Sequence, residues 1–183
     1  MSEPAPPSGV VRHGHFRYES GHHGDVWLEL DLLASYPERL GAAARELARR
    51  LADQEADLVC GPLEGGAFVA QWVAAELGLR FGYTRRGAGG RYAAPDSPDL
   101  RGMRAIVVDD AVNAGAAVIA TARELERRGC TVAALGAVMA GSHSGTRVGA
   151  RLGVPYVYLH EIAGTLWEPA VCPLCARGVP AEG

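Results

Sequence analysis

The chain has 183 residues, 48% of them apolar and 21% charged, with a net charge of −3; that is the balance of one globular domain with room for a substantial core. The mild negative charge excludes the broad basic surface of a general nucleic-acid binder. All 18 basic residues are arginine, which excludes a Walker-type or Schiff-base lysine. No run approaches the roughly 18 apolar residues of a membrane span and no apolar signal core opens the chain, so a cytoplasmic protein with no membrane partner is expected.

Residues 1–9, MSEPAPPSG, are Pro- and Ser-rich and predict a flexible tail ahead of one domain over 10–165. The stretch GHFRYESGHHGDVWLELDLL, residues 14–33, reads as a turn at Ser20 and Gly21 followed by strand-like alternation around 26–30. His13, His15, His22 and His23 crowd this stretch, but no regular ligand spacing with a carboxylate supports a metal there. Over residues 37–53, Leu40, Ala44, Leu47 and Leu51 form an apolar stripe at helical spacing, with Arg and Glu opposite. Residues 57–60 predict a short strand, and Cys60 fits a small buried residue better than a nucleophile. The loop that follows, Gly61, Pro62, Leu63, Glu64, Gly65 and Gly66, allows a tight strand-to-helix turn with close backbone approach to an anion.

A helix over 67–77 and a strand over 80–84 come next. Residues 85–102, RRGAGGRYAAPDSPDLRG, are too glycine- and proline-rich for a regular element, and a loop of that length predicts a lid or binding loop. Arg85, Arg86 and Arg91 make it positive, which suits a diphosphate leaving group. The stretch that organises the chain is RAIVVDDAVNAGAAVIATARELERRG, residues 104–129. It opens as a buried apolar strand over 105–108, presents Asp109 and Asp110, turns through Asn113, Ala114 and Gly115, and continues as an amphipathic helix through Val118, Ile119, Ala122 and Leu125. Ligands of open α/β sheets bind beyond the carboxyl ends of the strands, where this loop must lie. Its N–H groups suit a phosphate and its carboxylates can accept from the vicinal hydroxyls of a ribose, so together they describe a phosphorylated sugar.

A strand over 131–139 leads to AGSHSG, with Ser142, His143 and Ser144; a short helix through Val148 and Leu152 and a last strand over 155–160 follow. The tail, residues 166–183, holds Cys172 and Cys175 as a CxxC pair. In a Pro-rich tail it lacks the strand-then-helix setting of a redox pair. No metal ligation is assigned to it; half of a zinc knuckle stays open as an alternative, for which His or a partner chain would complete four ligands, and a structural disulfide is not expected. The alternation of strands and helices predicts an α/β fold, with a mainly parallel sheet of about five strands flanked by helices.

Apolar strand, two acids, three residues, a small residue, glycine and helix: this order resembles the phosphoribosyl-pyrophosphate signature of type I phosphoribosyltransferases. DDAVNAGAA resembles their orotate branch through Asp109, Asp110, Ala114, Gly115 and Ala117; Asn113 and Ala116 depart from it, since hydroxyl residues are usual at both places. Gly14, His15, Phe16, Ser20 and Gly21 resemble the branch's N-terminal segment, which implies a small hood over the base, here residues 10–36. The resemblance implies Mg²⁺-dependent transfer of the 5-phosphoribosyl group to a nucleobase, orotate, with release of diphosphate, by a homodimer acting on small molecules. It implies that Asp109 and Asp110 hold the ribose and serve catalysis, and that Arg85, Arg86 and the run Ala111, Val112, Asn113, Ala114, Gly115, Ala116 and Ala117 bind the phosphoribosyl pyrophosphate. Residues 61–66 become the diphosphate loop, Arg91 the loop's catalytic cation, and His23, Trp27 and Asn113 the base contacts. The branch's loop lysine and histidine are not reproduced, and its base-holding arginine is absent from 141–145. Two alternatives therefore stay open: a regulatory binder without transfer, and a transferase for another base.

Overall fold

A computed structural model describes residues 9–18, 21–96, 99–141 and 147–183 of the chain. Residues 1–8, with most of the expected tail, and Ser20, Ser142, His143 and Ser144 lie outside the described residues.

Two strands open the fold, β1 (Val11–Arg17) and β2 (His23–Leu28), paired antiparallel. A short helix α1 (Leu30–Ala34) leads into α2 (Pro37–Leu51). Helix α2 has Pro37 in its first turn, where a missing N–H costs nothing, Glu38 beside it, and Arg49 and Arg50 in its last turn, an arrangement that opposes the helix dipole. Its stripe of Leu40, Ala44, Leu47 and Leu51 is buried as the spacing predicts.

The body alternates β3 (Leu58–Pro62), α3 (Gly65–Leu77), β4 (Arg80–Arg86), β5 (Tyr92–Ala93), β6 (Arg104–Val112), α4 (Ala116–Arg127), β7 (Thr131–Gly141), α5 (Val148–Leu152) and β8 (Tyr156–Ile162). Its sheet runs β5-β4-β3-β6-β7-β8, and the five strands from β4 to β8 are mutually parallel. Interior strands β3, β6 and β7 are mostly apolar because helices cover both faces, the charged exceptions in β6 being Arg104 at its start and Asp109 and Asp110 toward its carboxyl end. One face packs Leu47, Leu51, Val69, Val73, Ile106 and Val138 under α2 and α3; the other packs Val107, Val118, Leu125, Leu135 and Val148 under α4 and α5.

Three boundaries differ from the sequence expectation. Strand β4 continues through Arg85 and Arg86, and the expected irregular loop turns back on it as a hairpin, with Arg85 opposite Ala93 and Arg86 opposite Tyr92. Gly89 and Gly90, at φ of +71° and +75°, make that tight return possible, which single-residue glycine content alone could not distinguish from a long open loop. Strand β6 carries both aspartates within it, Asp109 standing opposite Ala137. Finally, the tail folds onto the N-terminal sheet: β9 (Leu166–Trp167) pairs with β2, Glu182 bridges to Phe16, and a single-turn helix α6 (Pro173–Ala176) stands between. The hood is therefore a three-stranded sheet, β1-β2-β9, built from both chain ends.

Candidate active site

The central acids are placed by the sheet. Asp109 is buried at 7% exposure and Asp110 is half-buried beside it. The Asp110 N–H donates to Asp109 Oδ1 at 3.0 Å, and the Ala111 N–H to Asp110 Oδ1 at 2.7 Å. Burial pushes the Asp109 carboxyl well above the usual carboxylate range, and the neighbouring Asp110 charge adds to it. Asp110 is also raised, again chiefly by burial, with the charge of Asp31 on α1 acting in the same direction against several hydrogen bonds. Two acids held at raised proton affinity invite either a hydroxyl donor or a cation.

Two helix beginnings flank them. Helix α3 starts at Gly65 and Gly66, so close to the acids that a Cβ on Gly65 would overlap the Asp110 carboxylate, while one on Gly66 would lie 2.5 Å from Asp109 Oδ1. The 61–66 turn contains a cis Leu63–Glu64 peptide and is tied to β4 by the Leu63 N–H donating to the Thr84 carbonyl at 2.7 Å. Helix α4 starts after Gly115, whose φ of +77° and close approach to Val148 admit no side chain. Neither helix has a side-chain cap on its first turn, so both leave N–H donors and the positive end of a helix dipole beside the acid pair.

The other expected site residues distribute unevenly. Asn113, Ala114 and Ala116 are exposed on the loop, and Asn113 lies against Gly141 at the end of β7. Val112 is turned into the core at 2% exposure, so within the 111–117 run it supports the loop from behind. Arg85, Arg86 and Arg91 are exposed on the β4–β5 hairpin, with the Arg85 guanidinium 5.9 Å from the Tyr83 ring centre. Trp27 stacks on Tyr18 at 5.9 Å and meets Phe16 at 5.8 Å, an aromatic group internal to the hood.

His23, expected as a base contact, stands at the start of β2. Its Nδ1 is 2.9 Å from His15 Nε2 and 3.2 Å from Cys175 Sγ. The histidines set aside as ligands thus meet the CxxC pair. Spacing could not reveal it, because hood and tail are joined only by tertiary pairing; the one signal in the sequence was a CxxC short of two ligands and a segment rich in histidine.

An open parallel sheet with an acid pair at a strand end, beside helix starts whose first N–H groups have no side-chain cap, is the place where open α/β proteins bind their ligands. The phosphoribosyl transferase domain model matches residues 34–152, and the chain belongs to that family. An orotate phosphoribosyltransferase of Thermus thermophilus is 31% identical over 176 residues, covering 96% of this chain and 94% of that protein. One from Thermotoga maritima is 30% identical over 181 residues, covering 96% and 91%. The solved orotate phosphoribosyltransferase of Aeropyrum pernix superposes with a TM-score of 0.70 at 25% identity, over 84% of this chain and 89% of that one.

Proposed function

We propose that this chain transfers the 5-phosphoribosyl group of phosphoribosyl pyrophosphate to orotate, forming orotidine 5′-phosphate and releasing diphosphate. Phosphoribosyl transfer is the reaction class of its family. The orotate branch is supported by relatives near 30% identity over almost the whole chain. The observation that carries the site is the buried acid pair held between two uncapped helix starts.

A substrate with phosphates at both ends and hydroxyls between them fits that arrangement. N–H groups of the 113–117 turn and the first turn of α4 would donate to the 5′-phosphate. Asp109 and Asp110 would accept from the ribose hydroxyls. The 61–66 turn, with Arg85 and Arg86, would hold the diphosphate, and Arg91 would reach it from the hairpin tip as charge develops. With His23 engaged by Cys175 and His15, base contact falls to Trp27 and Asn113. The buried carboxylates are hard oxygen donors whose ionisation a divalent cation would ease, so Asp109 and Asp110, together with substrate oxygens, fit Mg²⁺. When bound, that ion offsets charge on the departing diphosphate. The rest is positioning: holding C1 of the ribose against the attacking base nitrogen while the site stabilises an oxocarbenium-like state.

The proposed assembly is a cytoplasmic homodimer. Phe68 and Trp72, one turn apart on α3, are 46% and 39% exposed and line an apolar groove with Ala34, Pro37 and Leu40. A second reading, a binder without transfer, is favoured by Ala116, which offers no hydroxyl at the phosphate turn. Calorimetric titration with phosphoribosyl pyrophosphate and Mg²⁺, followed by orotate turnover on the same sample, tests both. Binding with turnover supports the transferase, binding without turnover supports the second reading or another base, and no binding overturns the site.

A further inference from the structure

Outside the cleft, four side chains that the proposed reaction does not need converge on one point. His15 comes from β1, His23 from the start of β2, and Cys172 and Cys175 from either side of the first turn of α6; all four ligand atoms lie within 4.8 Å of one another. Cys172 Sγ is 3.5 Å and Cys175 Sγ 3.7 Å from His15 Nε2, Cys175 Sγ is 3.2 Å from His23 Nδ1, and the two ring nitrogens are 2.9 Å apart. A tetrahedral ion with metal–sulfur bonds of about 2.3 Å and metal–nitrogen bonds of about 2.0 Å requires ligand atoms about 3.3 to 3.8 Å apart. The four distances above, 2.9 to 3.7 Å, fall around that range, the remaining two edges are within 4.8 Å, and all four cysteines of the chain are free.

The tautomer of His15 points the same way. Its Nδ1 lies 2.7 Å from the Val179 carbonyl oxygen, which can only accept, so Nδ1 carries the hydrogen. The lone pair of the neutral ring is then on Nε2, aimed at the two sulfurs and at His23. A ligating histidine commonly has its other nitrogen fixed by a carbonyl in this way. His15 and Cys172 are each 3% exposed, so half of the donor set is already withdrawn from water, and Cys175 opens to the surface as an entry route.

We propose that His15, His23, Cys172 and Cys175 form a structural Zn²⁺ site that locks the C-terminal tail onto the N-terminal hood. Two thiolates and two imidazoles suit zinc, and two deprotonated sulfurs balance its double charge, leaving a neutral centre fit for a half-buried place. Binding forms two Zn–S and two Zn–N bonds, breaks two S–H bonds and sends two protons to solvent; nothing is oxidised or reduced. The ligands come in pairs, two from the hood and two from the tail. Beside them, the tail is attached by the short β9 pairing, by backbone hydrogen bonds from the Glu182 N–H to the His15 carbonyl and from the Arg17 N–H to the Glu182 carbonyl, by His15 donating to the Val179 carbonyl and the Thr165 N–H to Asp25, and by the exposed Arg12–Glu182 and His22–Glu168 pairs at 2.6 and 3.0 Å. So small a sheet has little core of its own, the setting in which a metal supplies the missing cohesion. This inference is independent of the proposed reaction.

The full chain, purified without chelator, is assayed for metal by mass spectrometry; about one zinc per chain is expected. Metal-free chain titrated with Co²⁺ is then expected to show the intense visible bands of a tetrahedral centre and a thiolate-to-cobalt charge-transfer band, with one equivalent as the end point. Cys175→Ser and His23→Ala should lose tight binding, while Cys130→Ala should retain it. Because the Co²⁺ titration uses the unaltered chain, it remains decisive even if a variant fails to fold. No zinc in the purified chain together with no uptake on addition, cobalt bands without thiolate charge transfer, or a Cys172–Cys175 disulfide would each overturn the proposal.

Discussion

At the scale of single residues, the cleft is governed by charge held where water is scarce. Asp110 lies so close to the Gly65 backbone that no side chain fits between them. Asp110→Asn keeps the shape and removes the charge, so affinity for phosphoribosyl pyrophosphate should fall by about 10- to 100-fold, the cost of a lost charge-assisted hydrogen bond; unchanged affinity in calorimetry would dissociate this residue from the ribose. Asp109 makes a prediction about the free protein. Its proton affinity is higher in the folded chain than in the unfolded one, so the folded state binds more protons once pH exceeds the usual carboxylate range. Stability contributed by the protonated form is then lost as pH rises from that range toward the folded-state pKa. Asp109→Asn should flatten this slope and raise the neutral-pH melting temperature of the free protein while weakening substrate binding. Parallel melting curves against pH for both proteins would refute that account.

At the scale of elements, the β4–β5 hairpin and the two helix starts have different duties. The start of α3 comes close to the acids because Gly65 and Gly66 place no side chain between them, and the start of α4 packs on Val148 because Gly115 has none. The hairpin is anchored at its base by β4, where Thr84 Oγ1 and Thr121 Oγ1 share a buried hydrogen bond of 2.6 Å with α4, and by the Ala94 N–H donating to Glu124 at 3.3 Å. Its tip, with Arg91, carries exposed positive charge. Arg91→Ala should therefore lower orotate turnover, by about 100-fold if its charge stabilises the leaving diphosphate, with little change in substrate affinity. A variant with normal kcat would leave Arg91 as solvated surface charge. The elements most legible in the sequence were those whose periodicity is long: the stripe of α2 and the strand–acid–turn–helix order of β6 and α4. The hairpin was not legible, since glycine and proline mark a change of direction but not which strand the chain returns to pair with.

At the scale of the whole molecule, the parallel sheet brings its carboxyl ends to one edge and leaves an apolar groove along α3, whose first residues also build the cleft. If a second copy covers that groove, assembly and catalysis share an element. The chain should sediment as a dimer, and Phe68→Glu should shift it toward monomer; a wild-type monomer at micromolar concentration would remove the groove as an interface. The amino-acid order by itself determined the α/β class, the parallel sheet and the acid pair between two glycine-bearing turns, because each depends on residues close together in the chain and on local periodicity. It also contained every zinc-type ligand, without their association. Only tertiary structure decided that β9 joins β1 and β2, bringing His15 and His23 to Cys172 and Cys175, and that Val112 supports the 113–117 turn from inside. Contacts between segments some 150 residues apart are set by the free energy of the packed whole, and no local pattern records them.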